Sequence, residues 1–150
     1  MSDENVELIE ALQPEPDVDL VELFRDEQAY ANIEAAIGAI FHDDLESGFV
    51  GHHESRNRGR AGFRKTWVEW LEPWESYRSE VERVVGCGDD VLVLVKDYGR
   101  KPGMTAEVRL LGAAVWTVRD GLITRALFYT DREDALNEVG LDAEELAQRR

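Results

Sequence analysis

Residues 105–130 read TAEVRLLGAAVWTVRDGLITRALFYT, two runs rich in Val, Leu, Thr and aromatics on either side of Asp120-Gly121. Asp-Gly readily takes the positive φ angles of a type I′ turn, whose twist suits the two strands of a hairpin. The spacing predicts strands over 105–119 and 122–130. The same composition recurs over 76–86 and 91–99, joined by Gly86-Cys87-Gly88-Asp89-Asp90, and Gly99 to Gly103 around Pro102 supplies the remaining turn. Four strands in consecutive hairpins make an antiparallel meander. The stretch 105–119 holds 15 residues, and at roughly 3.3 Å per residue it would run about 50 Å. That is too long to lie flat on one small layer, so it has to bend, and a sheet bent around a long helix encloses a space.

Upstream of residue 76 the period changes to that of helices. Phe63, Trp67, Trp70, Leu71 and Trp74 fall on one helical face, which Pro73 should close. Three tryptophans on one stripe read as core or as the wall of a cavity. Val6, Leu8, Ile9 and Leu12 mark a first helix ended by Pro14 and Pro16. Asp17 or Asp19 can cap a short helix through Leu20, Val21, Leu23 and Phe24, and Asp26 a longer one with Tyr30, Ile33, Ala36, Ile37 and Ile40 on one side. Phe41 to Val50 is a strand candidate weakened by Gly48 and paired aspartates. Thr130-Asp131-Arg132-Glu133 has the form of a capping box that opens a last helix through Ala135, Leu136 and Val139, followed by a charged tail. The expected fold is therefore α+β, one domain over 1–150 with an acidic helical part over 1–40.

Thirty-two acidic against 17 basic residues give a formal charge of −15. Residues 1–50 hold 14 acids and one base, Arg25, so they carry −13 of it. Such a chain is a poor partner for nucleic acid, because phosphate binding needs clustered cations. The acidic segment reads as a solvated face that keeps the protein soluble, or as a dock for a basic partner. Arg56, Arg58, Arg60, Arg64 and Lys65 run the other way; they either balance the acidic helices or form an anion seat at a helix start. No apolar run approaches the roughly 18 residues of a membrane span. The opening residues lack the order of a secretion signal, and the single Cys87 fits a reducing cytoplasm.

The order of these elements, with the residues at their turns, resembles the nuclear transport factor two-like superfamily, which includes ketosteroid isomerases and SnoaL-like polyketide cyclases. The likeness rests on Gly59-Arg60-Ala61-Gly62-Phe63-Arg64, on Val115-Trp116-Thr117-Val118-Arg119-Asp120-Gly121 and on Tyr129 to Leu136, and is best over Phe41 to Leu141. Gln13 to Asp26 departs from the family's compact first helices. The resemblance implies a cone-shaped, cystatin-like roll, a curved antiparallel sheet wrapped around helices with an apolar pocket inside. It also implies that the opposite face of the sheet forms a homodimer. Ketosteroid isomerases use an aspartate base and a neutral aspartic acid in an oxyanion hole. On this sequence those positions fall near Phe49 and Ala114, so isomerase chemistry of that kind is not expected to carry over.

If the last strand alternates strictly, Ile123, Arg125, Leu127 and Tyr129 share one side, and Arg125 and Tyr129 would face inward as neighbours. A partly buried Arg needs an acceptor, either a ligand anion or a carboxylate such as Asp97 or Glu107. The ligand-binding candidates are thus Trp67, Tyr98, Trp116, Arg125 and Tyr129. The catalytic candidates are the histidines beside carboxylates, His42 with Asp43 and Asp44, and His52 and His53 with Glu54. Neighbouring side chains on an extended segment point apart, and no metal-ligand spacing appears, so no metal site is expected. Gly86-x-Gly88 lies between strands, the wrong place for a nucleotide loop, so no cofactor is expected. Three functions remain: a binder of a small, largely apolar and possibly anionic molecule, a cofactor-free isomerase, hydratase or cyclase, and a dimeric interaction domain with a filled cavity.

Overall fold

The computed structural model describes residues 2–51 and 54–149. Three helices come first, α1 (Ser2–Leu12), α2 (Leu20–Arg25) and α3 (Glu27–Ile37), then strands β1 (Phe41–Val50) and β2 (Asn57–Arg58) and helix α4 (Gly59–Leu71). The meander follows as β3 (Ser76–Cys87), β4 (Asp90–Arg100), β5 (Val108–Arg119) and β6 (Leu122–Tyr129), and α5 (Arg132–Val139) and α6 (Ala143–Gln148) close the chain. The sheet order is β2-β1-β6-β5-β4-β3. The hairpins of the meander are antiparallel as expected, whereas β1 lies parallel to β6, so the sheet is mixed.

Local signals explain most of these boundaries. The Asp19 carboxylate accepts the Val21 N–H at 3.0 Å, and the Asp26 carboxylate that of Ala29 at 2.9 Å, each capping the helix it precedes. Asp120 and Gly121 have φ of 52° and 77°, the positive pair of a type I′ turn. Two expectations shift. Asp131, not Thr130, caps α5 by accepting the Glu133 N–H at 2.9 Å, while the Thr130 hydroxyl donates to the Val50 carbonyl at 3.3 Å. Strand β5 begins at Val108 rather than 105, so length alone does not bend the sheet. Register breaks between Phe41 and Glu46, between Val81 and Arg83, and between Thr117 and Val118 insert bulges into three strands, and bulges raise local twist and bend a strand.

The two faces of the bent sheet carry separate cores. On the concave side α1 to α4 cover Val91, Val93, Ala114, Trp116, Val118, Ile123, Ala126 and Phe128. On the convex side Ala135, Leu136, Val139, Leu141 and Leu146 of the C-terminal segment cover Leu92, Leu94, Ala113, Val115, Leu127 and Tyr129. Guanidinium groups on main-chain carbonyls fasten the N-terminal helices to the rest. Arg64 on α4 donates to the Phe24 carbonyl at 2.8 and 3.0 Å, and Arg25 on α2 donates to those of Leu71 and Glu72 at 2.9 and 3.1 Å. Arg60 donates to the Phe41 carbonyl at 2.9 Å and pairs with Asp43 at 3.2 Å, and Arg56 donates to the Phe49 carbonyl at 3.2 Å. Three of the basic cluster's arginines are therefore bound to the protein's own oxygens.

Candidate functional site

Between the concave face and the helices lies a cavity of about 440 Å³. Its wall is rich in aromatics because three strands and three helices each contribute rings to it: Phe49 from β1, Trp116 from β5, Phe128 from β6, Phe24 from α2, Tyr30 from α3, and Phe63 and Trp67 from α4. The rings support one another. Trp67 stacks on Phe24 at 5.5 Å and meets Phe49 and Phe128 edge-on at 5.3 and 4.9 Å, geometries favoured by the ring quadrupole. The mouth is marked by exposed residues on the lining: Glu15 after α1, Ile33 and Glu34 on α3, and Arg60 on α4. Gln13, Pro14 and Val18 line it too, so the stretch that departs from the expected compact helices supplies part of the wall.

A polar patch interrupts the hydrocarbon, apart from the buried Trp116 Nε1, which has no hydrogen-bond partner among the described residues. Asp97 on β4 and Ser79 on β3 face each other in register, both line the cavity, and both are at most 8% exposed. The Ser79 hydroxyl donates to one Asp97 oxygen at 2.6 Å and the Tyr77 hydroxyl to the other at 2.7 Å. The Trp70 ring meets that of Tyr77 edge-on at 6.3 Å. Burial pushes the Asp97 carboxyl above its ordinary 3.8, against the two donated bonds and the positive field of Arg132, which pull the other way. Burial and then Asp97 hold Tyr77 well above the usual phenol range, so its proton stays in place.

The sequence candidates divide. Trp67 and Trp116 line the cavity. Tyr98 lies on the opposite face of β4, with the Arg78 guanidinium 4.1 Å above its ring. Arg125 does not face inward. Its guanidinium pairs with Glu138 of α5 at 3.7 Å on the convex side, and the Tyr129 hydroxyl donates to the same carboxylate at 3.4 Å. The two are neighbours as expected, but the ring of Tyr129 belongs to the convex core although the residue borders the cavity. The expected partners of Arg125 are occupied elsewhere, Asp97 by Tyr77 and Ser79 and Glu107 by Arg78. The reason is a bulge: Thr117 pairs with Arg125 and Val118 with Ile123, which leaves Thr124 as an extra residue. Ile123 therefore shares the concave face with Ala126 and Phe128, and Arg125 turns away. Burial and Glu138 push the Tyr129 phenol up to about 12. His42 sits at the start of β1, where its Nδ1 accepts the Asp44 N–H at 3.0 Å, away from the cavity lining. His52 and His53 lie outside the described residues. Phe49 and Ala114 both line the cavity, and neither can hold a proton.

Asp97 was legible only as an ion-pair partner. Its signal is parity, since Val91, Val93, Val95 and Asp97 share one side of β4 and put an acid at the end of an apolar stripe.

A SnoaL-like domain model matches residues 19–126. The chain belongs to the SnoaL-like family. No curated protein matches it. Among solved structures, a putative SnoaL-like polyketide cyclase from Jannaschia sp. CCS1 is 16% identical with a TM-score of 0.63, covering 94% of both chains. TerC, crystallised with polyporic acid, is 20% identical with a TM-score of 0.61, over 91% of this chain and 98% of its own. A ketosteroid-isomerase-like protein from Catenulispora acidiphila, in complex with trimethylamine, is 17% identical with a TM-score of 0.56, over 88% and 97%. At these identities the likeness is one of fold. Among the described residues of this SnoaL-like chain, no helix is long and apolar enough to cross a membrane.

Proposed function

We propose that this SnoaL-like protein binds a small, largely apolar molecule in the cavity between its curved sheet and its helices. The observation that carries the reading is a hollow of about 440 Å³ walled by aromatic rings and touched by one buried acid, the usual make-up of a small-molecule site. A filled core, the third alternative, calls for the opposite. Two structural neighbours hold small molecules, one named an acid and the other an amine, so they support ligand binding without favouring either charge. The possible anion rested on Arg125, which lies on the other face of the sheet, and that part of the expectation is withdrawn.

One observation favours a second reading, a cofactor-free enzyme of the isomerase, hydratase or cyclase type. Asp97 borders the open space with its acidity weakened by burial, and general acid–base chemistry needs a proton-holding group in such a place. Recovery of a bound molecule unchanged separates binding from chemistry. The homodimer also stays part of the proposal, through the exposed Met104, Val108 and Leu111, as does a cytoplasmic location on the lone Cys87.

The test is calorimetric titration with a neutral aromatic probe, naphthylmethanol, against the native chain and Ala114→Phe. Ala114 is 5% exposed on the cavity wall, and a ring there fills the hollow. Saturable binding to the native chain that falls at least about tenfold (roughly 1.4 kcal/mol) in the folded variant is expected. Equal binding by both overturns the proposal, as does a native chain that binds neither this probe nor naphthylmethylamine.

A further inference from the structure

The cavity's polar patch has a one-sided hydrogen-bonding character. Tyr77 and Ser79 each own a single hydroxyl proton, and both protons already point at Asp97. With Asp97 ionised, what the patch can still offer is oxygen lone pairs, on its carboxylate and on Ser79. A molecule seated against it must therefore bring the hydrogens. The charges around the cavity point the same way. Among the described residues the lining's buried carboxylate is that of Asp97, Glu15 and Glu34 stand at the mouth, and the one guanidinium, Arg60, is paired with Asp43 and bound to the Phe41 carbonyl. The remaining wall is mostly hydrocarbon and includes the rings of Phe24, Phe49, Phe63, Trp67, Trp116 and Phe128, and the negative faces of such rings attract cations, tryptophan's most strongly.

We infer that the ligand is a protonated organic amine, its ammonium donating to Asp97 and Ser79 and its hydrocarbon body lying among the aromatic rings. This rests on the cavity being the binding site, as proposed above. A neutral hydroxyl could meet the lone pairs, but it gains nothing from the carboxylate charge or the ring faces. An anion would meet lone pairs and a carboxylate with no free cation to answer it. An ammonium brings the donor, the charge and the fit to the rings together, and its presence favours the ionised form of Asp97.

The experiment compares three probes that share one ring system and differ only at the end group: naphthylmethylamine, naphthylmethanol and naphthoate, titrated calorimetrically at neutral pH and physiological salt. In the native chain the amine is expected to bind at least about tenfold tighter than the alcohol, with the carboxylate weakest. Asp97→Asn should remove the amine's advantage over the alcohol. Ser79→Ala, which keeps the charge and the Tyr77 bond, should weaken the amine severalfold and serves as the deciding variant where Asp97→Asn does not fold. Ala114→Phe should abolish binding of all three. The acidic surface attracts cations without any cavity, so an amine preference that survives Ala114→Phe or Asp97→Asn overturns the inference. Amine and alcohol binding alike to the native chain overturns it too, yet leaves the cavity reading standing. Failure of every probe to bind overturns both.

Discussion

Asp97 is held where a carboxylate is expensive to keep. It is 8% exposed, two hydroxyls donate to it, and no guanidinium or ammonium among the described residues pairs with it directly. Its folded pKa lies above 3.8 because burial opposes the charge more than the two bonds favour it. For an acid raised on folding, the stabilisation is complete below the unfolded value and is lost as pH rises through the folded one. Asparagine at 97 cannot ionise and escapes that loss. The melting temperature of Asp97→Asn relative to the native chain should therefore climb as pH rises from below about 3.8 toward neutrality. A difference that stays constant across that range would show that burial does not dominate this site. Keeping an acid at such a position in an otherwise hydrocarbon wall fits a group retained for what it does to a ligand.

At the scale of elements, Trp74 and Gly99 show how closely the sheet and the segment after α4 meet. The indole lies over β4 so tightly that a Cβ at position 99 would come within 2.5 Å of its ring carbons. Gly99→Ala should cost roughly 1–3 kcal/mol, as overpacking of a settled core does. Adding Trp74→Leu should recover part of the loss in a thermal melt, and a double variant no better than Gly99→Ala would refute the contact. Trp74 also shows what the sequence could and could not reveal. Its place on the tryptophan stripe was readable, yet the helix ends at Leu71 and Trp74 packs from the following turn. The caps at Asp19 and Asp26 and the turn at Asp120-Gly121 were readable because each depends on two to four neighbouring residues. The facing of Arg125 was not, because one extra residue at Thr124 inverts the alternation and no local composition announces it. Asp97 was hidden for a related reason: whether an acid on an apolar stripe looks into a core or into a hollow depends on the curvature of strands far away in sequence.

At the scale of the molecule, the C-terminal segment covers the convex face that the family resemblance assigns to dimerisation. The exposed apolar side chains of Met104, Val108 and Leu111 near the β4–β5 turn are the surface on which the proposed dimer is placed. If it does, light scattering should give twice the 17.0 kDa chain mass for the native protein and the single mass for Leu111→Lys. A native chain that scatters as 17.0 kDa at high concentration removes the dimer from the proposal. The fastening of the N-terminal helices has a consequence for how such a chain can diversify. Arg64 and Arg25 grip the carbonyls of Phe24, Leu71 and Glu72, and every amino acid presents the same carbonyl there. The grip itself therefore does not depend on which side chain stands at those three places, although packing holds Phe24 and Leu71 in the core and leaves only Glu72 exposed. Replacement at the exposed mouth positions Glu15, Ile33 and Glu34 would then reshape the entrance to the hollow while the scaffold beneath stays as it is.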